Sequence, residues 1–352
     1  MTGSSADAGV ATPANSGFSP GASGVAGSDA LLEVQDLAVH FPVGATGWRK
    51  EKQVLRAVDG VSLAVRAGET LGIVGESGCG KTTLGRAILR LLKPTAGSIR
   101  FEGKDITRAS GAELAPMRRA LQAIFQDPFG SLNPRLRVRD IVAEPLLNMG
   151  WPRVRVEARI ADVMRIVGLA PEYATRYPHA FSGGQRQRIG IARALAPSPR
   201  LIVCDEAVSA LDVSIQAQIL NLLKDVQTEF GVAYLFVSHN LAVVRHLSHR
   251  VAVMYLGRIV ELSDEASLFA TPLHPYTAAL IAAVPEPDPT QALGPPALEG
   301  DLPSPMAPPS GCTFRTRCPI AQPRCAVDAP TLAQYAPGRL VRCHFPGTYR
   351  PA

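Results

Sequence analysis

No stretch of this 352-residue chain comes near the roughly 18 consecutive apolar residues of a membrane-spanning helix; the richest pieces, such as Ala278 to Val284, are short or broken by charge. The first residues hold neither the basic start nor the apolar block of a secretion signal, so a soluble cytoplasmic chain is expected. No internal repeat is present, so no repeat architecture is expected. A net charge of +6 invites a nucleic-acid reading, yet Lys and Arg are spread along the chain and no basic block with interleaved aromatics occurs, so no nucleic-acid partner is expected. A mildly basic surface equally suits docking on the inner face of an anionic membrane. What is present is 46% hydrophobic residues over a length that suits two or three domains with a sizeable core.

Residues 1–28 are Gly, Ala, Ser and Pro with almost no charge, too little apolar surface to order themselves, and read as a disordered tail. From Leu31 the pattern alternates as strands: Leu32 to Val34, Leu37 to Phe41, and Ala57 to Val65, expected to form an antiparallel sheet, with an exposed charged loop from Pro42 to Lys52. Ile99 to Phe101 and Leu121 to Phe125 read as further strands. Residues 127–180 turn helical, with helices expected over Val138 to Asn148 and Val156 to Val167. Strands and helices then alternate: helix Gly184 to Leu195, strand Leu201 to Cys204, helix Val213 to Phe230, strand Val232 to Val237, helix Leu241 to Leu247, strand Val251 to Tyr255. Such alternation predicts a parallel sheet covered on both faces. Proline density rises from Pro285, marking a link into a small cysteine-bearing module at 291–352 behind a main domain at 29–290.

The chemistry starts at Gly75-Glu76-Ser77-Gly78-Cys79-Gly80-Lys81-Thr82, which fits G-x-x-x-x-G-K-[ST]. An apolar run, Thr70 to Val74, leads in. A helical stripe of Leu84, Ala87, Ile88, Leu91 and Leu92 leads out, to be stopped by Pro94. A strand, a glycine loop and a helix start aim backbone N–H groups and partial positive charge at one point, so polyphosphate is the natural ligand. Lys81 then reaches the outer phosphates and the Thr82 hydroxyl serves a magnesium site; the plain alternative is a glycine turn before a helix. Downstream, the apolar strand Leu201 to Cys204 ends in Asp205 and Glu206. Asp205 suits a hold on magnesium and Glu206 can polarise a water for in-line attack on a γ-phosphate, whereas a bare pair of helix-capping acids is the alternative. Strand Val232 to Val237 delivers His239 to the same end of the sheet, a γ-phosphate contact, and Gln126 at another strand end can ligate the magnesium or its water. Phe181-Ser182-Gly183-Gly184-Gln185 makes a second anion-binding helix start, which makes sense if it serves the nucleotide held by another chain.

With that last motif the chain resembles the ATP-binding-cassette (ABC) ATPases, whose LSGGQ signature reads Phe181 to Gln185 here, and the resemblance runs from about Leu31 to Pro287. It implies an α/β fold, the P-loop NTPase cassette: a parallel core sheet, an antiparallel β subdomain and an α-helical subdomain, followed by the small cysteine-bearing module. It implies ATP contacts at Gly75, Ser77, Gly78, Cys79, Gly80, Lys81, Thr82 and Thr83, and magnesium held by Thr82, Gln126 and Asp205. Glu206 and His239 become catalytic with Lys81, and Phe41 stacks on adenine, a core phenylalanine being the alternative. Ser182, Gly183, Gly184, Gln185 and the D-loop Asp212 act in trans. Phe125-Gln126-Asp127-Pro128, Ser131 to Arg135, Arg176 to His179, Val213 to Gln218 and His274-Pro275-Tyr276-Thr277 look like the oligopeptide and dipeptide importer branch. His40 to Val43 and Leu84-Gly85-Arg86 are more similar to the second of its two ATPases. That branch implies a heterodimer with a second, related ATPase, two membrane permeases, an extracytoplasmic binding protein, and a peripheral position on the cytoplasmic face of the inner membrane. Alternatives are an importer of nickel, a glycopeptide or an opine, a soluble cassette ATPase, or a regulatory protein that only binds nucleotide. Two departures stand out: Ala207 where the branch has proline, and Asn240 where it often has aspartate.

Of six cysteines, Cys79 and Cys204 read as small buried residues, and Cys312, Cys318, Cys325 and Cys343 crowd the end of the chain with spacing C-x5-C-x6-C-x17-C. In a cytoplasmic chain such a crowd is more often a metal site than disulfides. Zinc sites pair cysteines about two to four residues apart, a poor match. Four thiolates also suit a [4Fe-4S] cluster, with zinc or free or disulfide-paired thiols as alternatives. The resembled branch is known to hold such a cluster in its C-terminal module, which implies one here.

Overall fold

The computed structural model describes residues 29–44, 53–127, 130–284 and 300–350; the expected tail at 1–28 and the first part of the proline-rich link lie outside them. Strands β1 (Ala30–Val43) and β2 (Gln53–Arg66) form a long antiparallel pair; β1 joins the two expected pieces Leu32 to Val34 and Leu37 to Phe41, and β2 extends the expected Ala57 to Val65 at both ends. Then come β3 (Thr70–Val74), the glycine loop and helix α1 (Lys81–Ile88). Strands β4 (Ala96–Phe101) and β5 (Lys104–Asp105) complete a four-stranded sheet of order β2-β1-β4-β5.

Helix α1 stops earlier than its apolar stripe predicts. Arg90 turns into the left-handed region (φ 57°), because its guanidinium is drawn to the carbonyls of Ile106 (2.8 Å) and Ala109 (3.2 Å). Leu91, expected on the buried face, is therefore 59% exposed.

After α2 (Ala115–Ala120) and β6 (Leu121–Ile124), helices α3 (Val138–Asn148) and α4 (Arg153–Ile166) form a helical region; no strand occurs among the described residues between β6 and α5 (Gly183–Leu195). The chain continues through β7 (Leu201–Asp205), α6 (Val213–Phe230), β8 (Ala233–Val237), α7 (Leu241–Leu247), β9 (Arg250–Tyr255) and β10 (Arg258–Asp264). Helices α8 (Glu265–Ala270), α9 (Pro275–Ala282) and α10 (Pro323–Val327) and strands β11 (Ala333–Ala336) and β12 (Arg339–Val341) close the fold.

The main sheet runs β11-β12-β10-β9-β3-β8-β7-β6, parallel from β9 to β6 and antiparallel beyond. Its central strands bury both faces, so the two-residue period sorts neighbours into different cores. Ile202, Cys204, Tyr234 and Phe236 join the helical side, and Leu201, Val203, Leu235 and Val237 join α1 and the β1–β2 sheet. The four parallel pairings place the C-terminal ends of β3, β7 and β8 side by side, the position where an open α/β sheet receives ligands. The antiparallel extension was not foreseen: β12 pairs with β10, so residues 339–341 belong to the main sheet itself.

Candidate functional site

Two glycines explain how the loop after β3 can exist. At Gly75 (φ 152°) a Cβ would fall 2.1 Å from Met254 O, and at Gly80 (φ 108°) 2.0 Å from Ala57 O, so neither position admits a side chain. Inside the curl, Lys81 is 5% exposed, and its ammonium donates to the carbonyls of Gly75 (2.8 Å) and Glu76 (3.0 Å). Cys79 is buried, 3.8 Å from the same ammonium, and burial pushes its thiol pKa up, which makes it packing rather than a reactive thiolate.

Thr82, in the first turn of α1, donates to Asp205 Oδ1 at 2.9 Å. Burial raises the Asp205 pKa above the usual carboxylate value, the Thr82 hydroxyl opposing it. A buried carboxylate in that setting gains from a cation placed beside it. Next door, Glu206 sits in the left-handed region (φ 51°), held there by its N–H donating to Val237 O (2.9 Å) and by its carbonyl accepting from Ser209 N (3.1 Å) and Ser209 Oγ (3.0 Å). Such backbone strain concentrates at functional positions. The turn is thus bonded and its next residues, Ala207 and Val208, are buried, so alanine in place of proline leaves no loose loop. His239 Nδ1 lies 3.2 Å from Glu206 Oε1. Asn240 accepts from Ala242 N (3.0 Å) and Val243 N (3.3 Å) as the N-cap of α7, a task asparagine and aspartate perform about equally.

One cleft is lined by Phe41, the loop from Ser77 to Thr83, Gln126 and Glu206, so that Phe41 and Glu206, 165 positions apart, share a single opening. The signature residues are not among its walls. Ser182 instead caps α5: Gln185 N donates to Ser182 Oγ (3.3 Å) and Ser182 N to Gln185 Oε1 (3.1 Å), a reciprocal box. Gly184 has a packing reason to be glycine as well, since a Cβ there would lie 2.6 Å from Ile215 Cγ2 on α6. Asp212 begins α6, exposed and with no side-chain capping bond.

Several participants escaped the sequence reading. Pro305 lines the cleft beside Leu55 and Arg56. His40 and Arg258 both hold Asp59 (3.0 and 2.7 Å), fastening β1, β2 and β10 beside Phe41. Arg317 grips Glu76 of the loop. None of these pairings is local, so no short motif announces them.

Cys312, Cys318, Cys325 and Cys343 line one small cavity with Phe314, Ile320 and Phe345. Burial pushes Cys318 up to about 11 and Cys343 up to about 12, and the neighbouring thiols push the same way. Phe345 N donates to Cys343 Sγ at 3.3 Å. Among the described residues, no three His, Cys, Asp or Glu side chains are grouped to hold a single metal ion. No described helix is long and apolar enough to cross a membrane.

The family profile described as ABC transporter matches residues 58–209, and that of the oligopeptide/dipeptide transporter C-terminal region matches 260–325. The chain is 56% identical over 318 residues to the probable peptide ABC transporter ATP-binding protein y4tS of Sinorhizobium fredii, covering 90% of each. It is 53% identical over 316 residues to the oligopeptide transport ATP-binding protein OppF of Escherichia coli, covering 87% of this chain and 93% of that one. Among solved structures, CbiO1 of Clostridium perfringens, part of an ABC transporter complex, superposes with a TM-score of 0.60 at 27% identity over 69% of this chain and 92% of that one. A bacterial ABC transporter cassette solved as a dimer gives 0.59 at 27% identity, covering 66% and 98%. With its loop, acidic strand end and signature in these places, the chain belongs to the ABC transporter ATPases, as an ATP-hydrolysing subunit of the oligopeptide/dipeptide importer type.

Proposed function

We propose that the cleft holds Mg-ATP for hydrolysis and that the site is completed by a second cassette. The observation that carries this is the division of labour just described: Phe41, Lys81, Thr82, Gln126 and Glu206 share one cleft, and Ser182 to Gln185 stand outside it on an exposed helix start. Lys81 leaves its two carbonyls for the outer phosphates, and the N–H groups of Gly78 to Thr83 bind phosphate oxygens. Thr82, Asp205 and Gln126 would hold the magnesium ion, which neutralises charge on the β- and γ-phosphates. Glu206 orients the attacking water, and His239, bonded to it, contacts the γ-phosphate. Ser182, Gly183, Gly184, Gln185 and Asp212 reach the nucleotide of the opposite chain, a related but distinct ATPase. Closure of the pair is passed through the helical region to two permeases, fed by an extracytoplasmic binding protein, with this chain on the cytoplasmic face of the membrane. Peptide cargo is supported by the names of the relatives.

In the assembled transporter, Glu206→Gln is expected to lower ATP turnover by about a hundredfold or more while leaving ATP binding intact. Turnover near that of the wild type would refute the assignment.

The C-terminal cysteines, in a module at 291–352 behind a cassette at 29–290, are proposed to hold a [4Fe-4S] cluster. Four thiols line one apolar cavity, and burial raises the pKa of Cys312, Cys318 and Cys343, each with a backbone N–H beside it; a cluster bound there would hold the four as thiolates. Protein purified anaerobically should be brown, with iron and sulfide at about four per chain; a colourless chain carrying stoichiometric zinc would sink the proposal.

A further inference from the structure

The phosphate loop is gripped from outside the nucleotide cleft. Arg317, on the turn between Cys312 and Cys318, places its guanidinium fork on the Glu76 carboxylate: Nη1 donates to Oε2 at 2.8 Å and Nη2 to Oε1 at 3.0 Å, across 241 residues of sequence. The Arg317 side chain is 7% exposed and that of Glu76 27%, so solvent screens this pair only in part. Glu76 is bonded through its main chain as well. Its N–H donates to the Tyr276 hydroxyl at 2.9 Å, and its carbonyl is one of the two that hold the Lys81 ammonium. The anchors are themselves tied together, because the Phe314 ring packs on both Tyr255 (5.3 Å) and Tyr276 (5.4 Å), which also meet each other (4.8 Å), and its carbonyl accepts from Arg317 N at 3.0 Å. The same segment meets the far end of the cleft, where Pro305 accepts from Arg56 N and forms part of the wall near Phe41.

We propose that Arg317 is a positioning residue for ATP hydrolysis: by clamping Glu76 it fixes the peptide that holds Lys81, so the cysteine-bearing segment sets the shape in which the phosphate loop meets its nucleotide. The inference rests on reading the cleft as the ATP site. Arginine is the residue this task requires, since its planar fork engages both carboxylate oxygens at once, and lysine offers a single point of charge. A loop held in its binding shape loses less freedom when ATP arrives, so loosening the clamp acts on affinity before it acts on the chemical step.

The test is a double-mutant cycle on the full chain in its assembled transporter, Arg317→Gln, Glu76→Gln and both together, with KM for Mg-ATP and kcat measured for each. Each single variant is expected to raise KM about tenfold with kcat changed less than about twofold, and the double to be no worse than the worse single. Arg317→Lys should fall between wild type and Arg317→Gln. A role confined to folding of the cysteine-bearing segment predicts something else: fewer active molecules and lower kcat in Arg317→Gln at unchanged KM, and no effect of Glu76→Gln. That pattern, or additive KM effects, would overturn the proposal. Glu76→Gln leaves every residue of the cysteine-bearing segment in place, so it decides the matter even where Arg317→Gln folds poorly. A wild-type transporter without ATP turnover would remove the reading of the cleft and the clamp with it, whereas wild-type turnover with unmoved KM in the variants removes the clamp alone.

Discussion

Helix α1 starts at Gly80, which has no side chain and a left-handed backbone, so no side chain caps its first N–H groups. Helix α5 starts at Ser182, whose hydroxyl and backbone are locked to Gln185 in a reciprocal box. The first start faces a cleft of its own chain with no side chain on its donors and a buried lysine beside them; the second lies outside that cleft and has its Gln185 N–H occupied by Ser182. Free donors at a helix start, beside a fixed cation, are a finished binding surface. A donor already bonded within its chain must exchange that bond before it can serve a ligand. On the proposed function, the difference separates the half of the site that binds nucleotide alone from the half that acts only after assembly.

Three substitutions break or sharpen that comparison. Gly80→Ala should have the largest effect: its Cβ meets Ala57 O at 2.0 Å in a backbone region alanine avoids, so the loop must rearrange. Isothermal titration should find ATP affinity down by about a hundredfold and calorimetry a stability loss of about 2 kcal/mol or more; unchanged affinity would show that the loop's shape is not what binds phosphate. Ser182→Ala should leave nucleotide binding by the isolated chain untouched, lower its stability by about 1 kcal/mol through the lost cap, and cut turnover of the assembled transporter by about tenfold or more. If ATP binding by the single chain fell as well, the two helix starts would belong to one pocket and the contrast would collapse. Asn240→Asp should do least. The carboxylate can accept the same two N–H bonds, so melting and turnover should stay within about 0.5 kcal/mol and about twofold of the wild type.

Local pattern made much of this molecule readable. Helices α3, α6 and α7 coincide end to end with their apolar periodicity, α6 being stopped by the left-handed Gly231 and α7 started by its Asn240 cap. The loop, the acidic strand end and the signature were legible for a related reason: each places a specific residue type at a fixed short spacing where strand turns to helix. What was hidden is what long-range contacts decide. Arg90 ends α1 early by reaching carbonyls some 16 to 19 residues away. The Asp59 cluster joins three strands, and Arg317 finds Glu76 across most of the chain. The β11–β12 hairpin carries little apolar alternation, and only its pairing with β10 makes it part of the sheet.

That pairing also bears on how the protein comes to be made. Until residues 339–341 arrive, β10 is a bare sheet edge, buried on its faces but with main-chain donors and acceptors turned outward, the kind of surface onto which another chain can add a strand. Synthesis delivers the partner strand far behind the rest of the cassette, so a newborn chain carries a sticky border for as long as its last stretch is missing. A chain cut short before β12 would keep that border for good, and its fate would be aggregation or removal rather than a transporter lacking only its last cysteine.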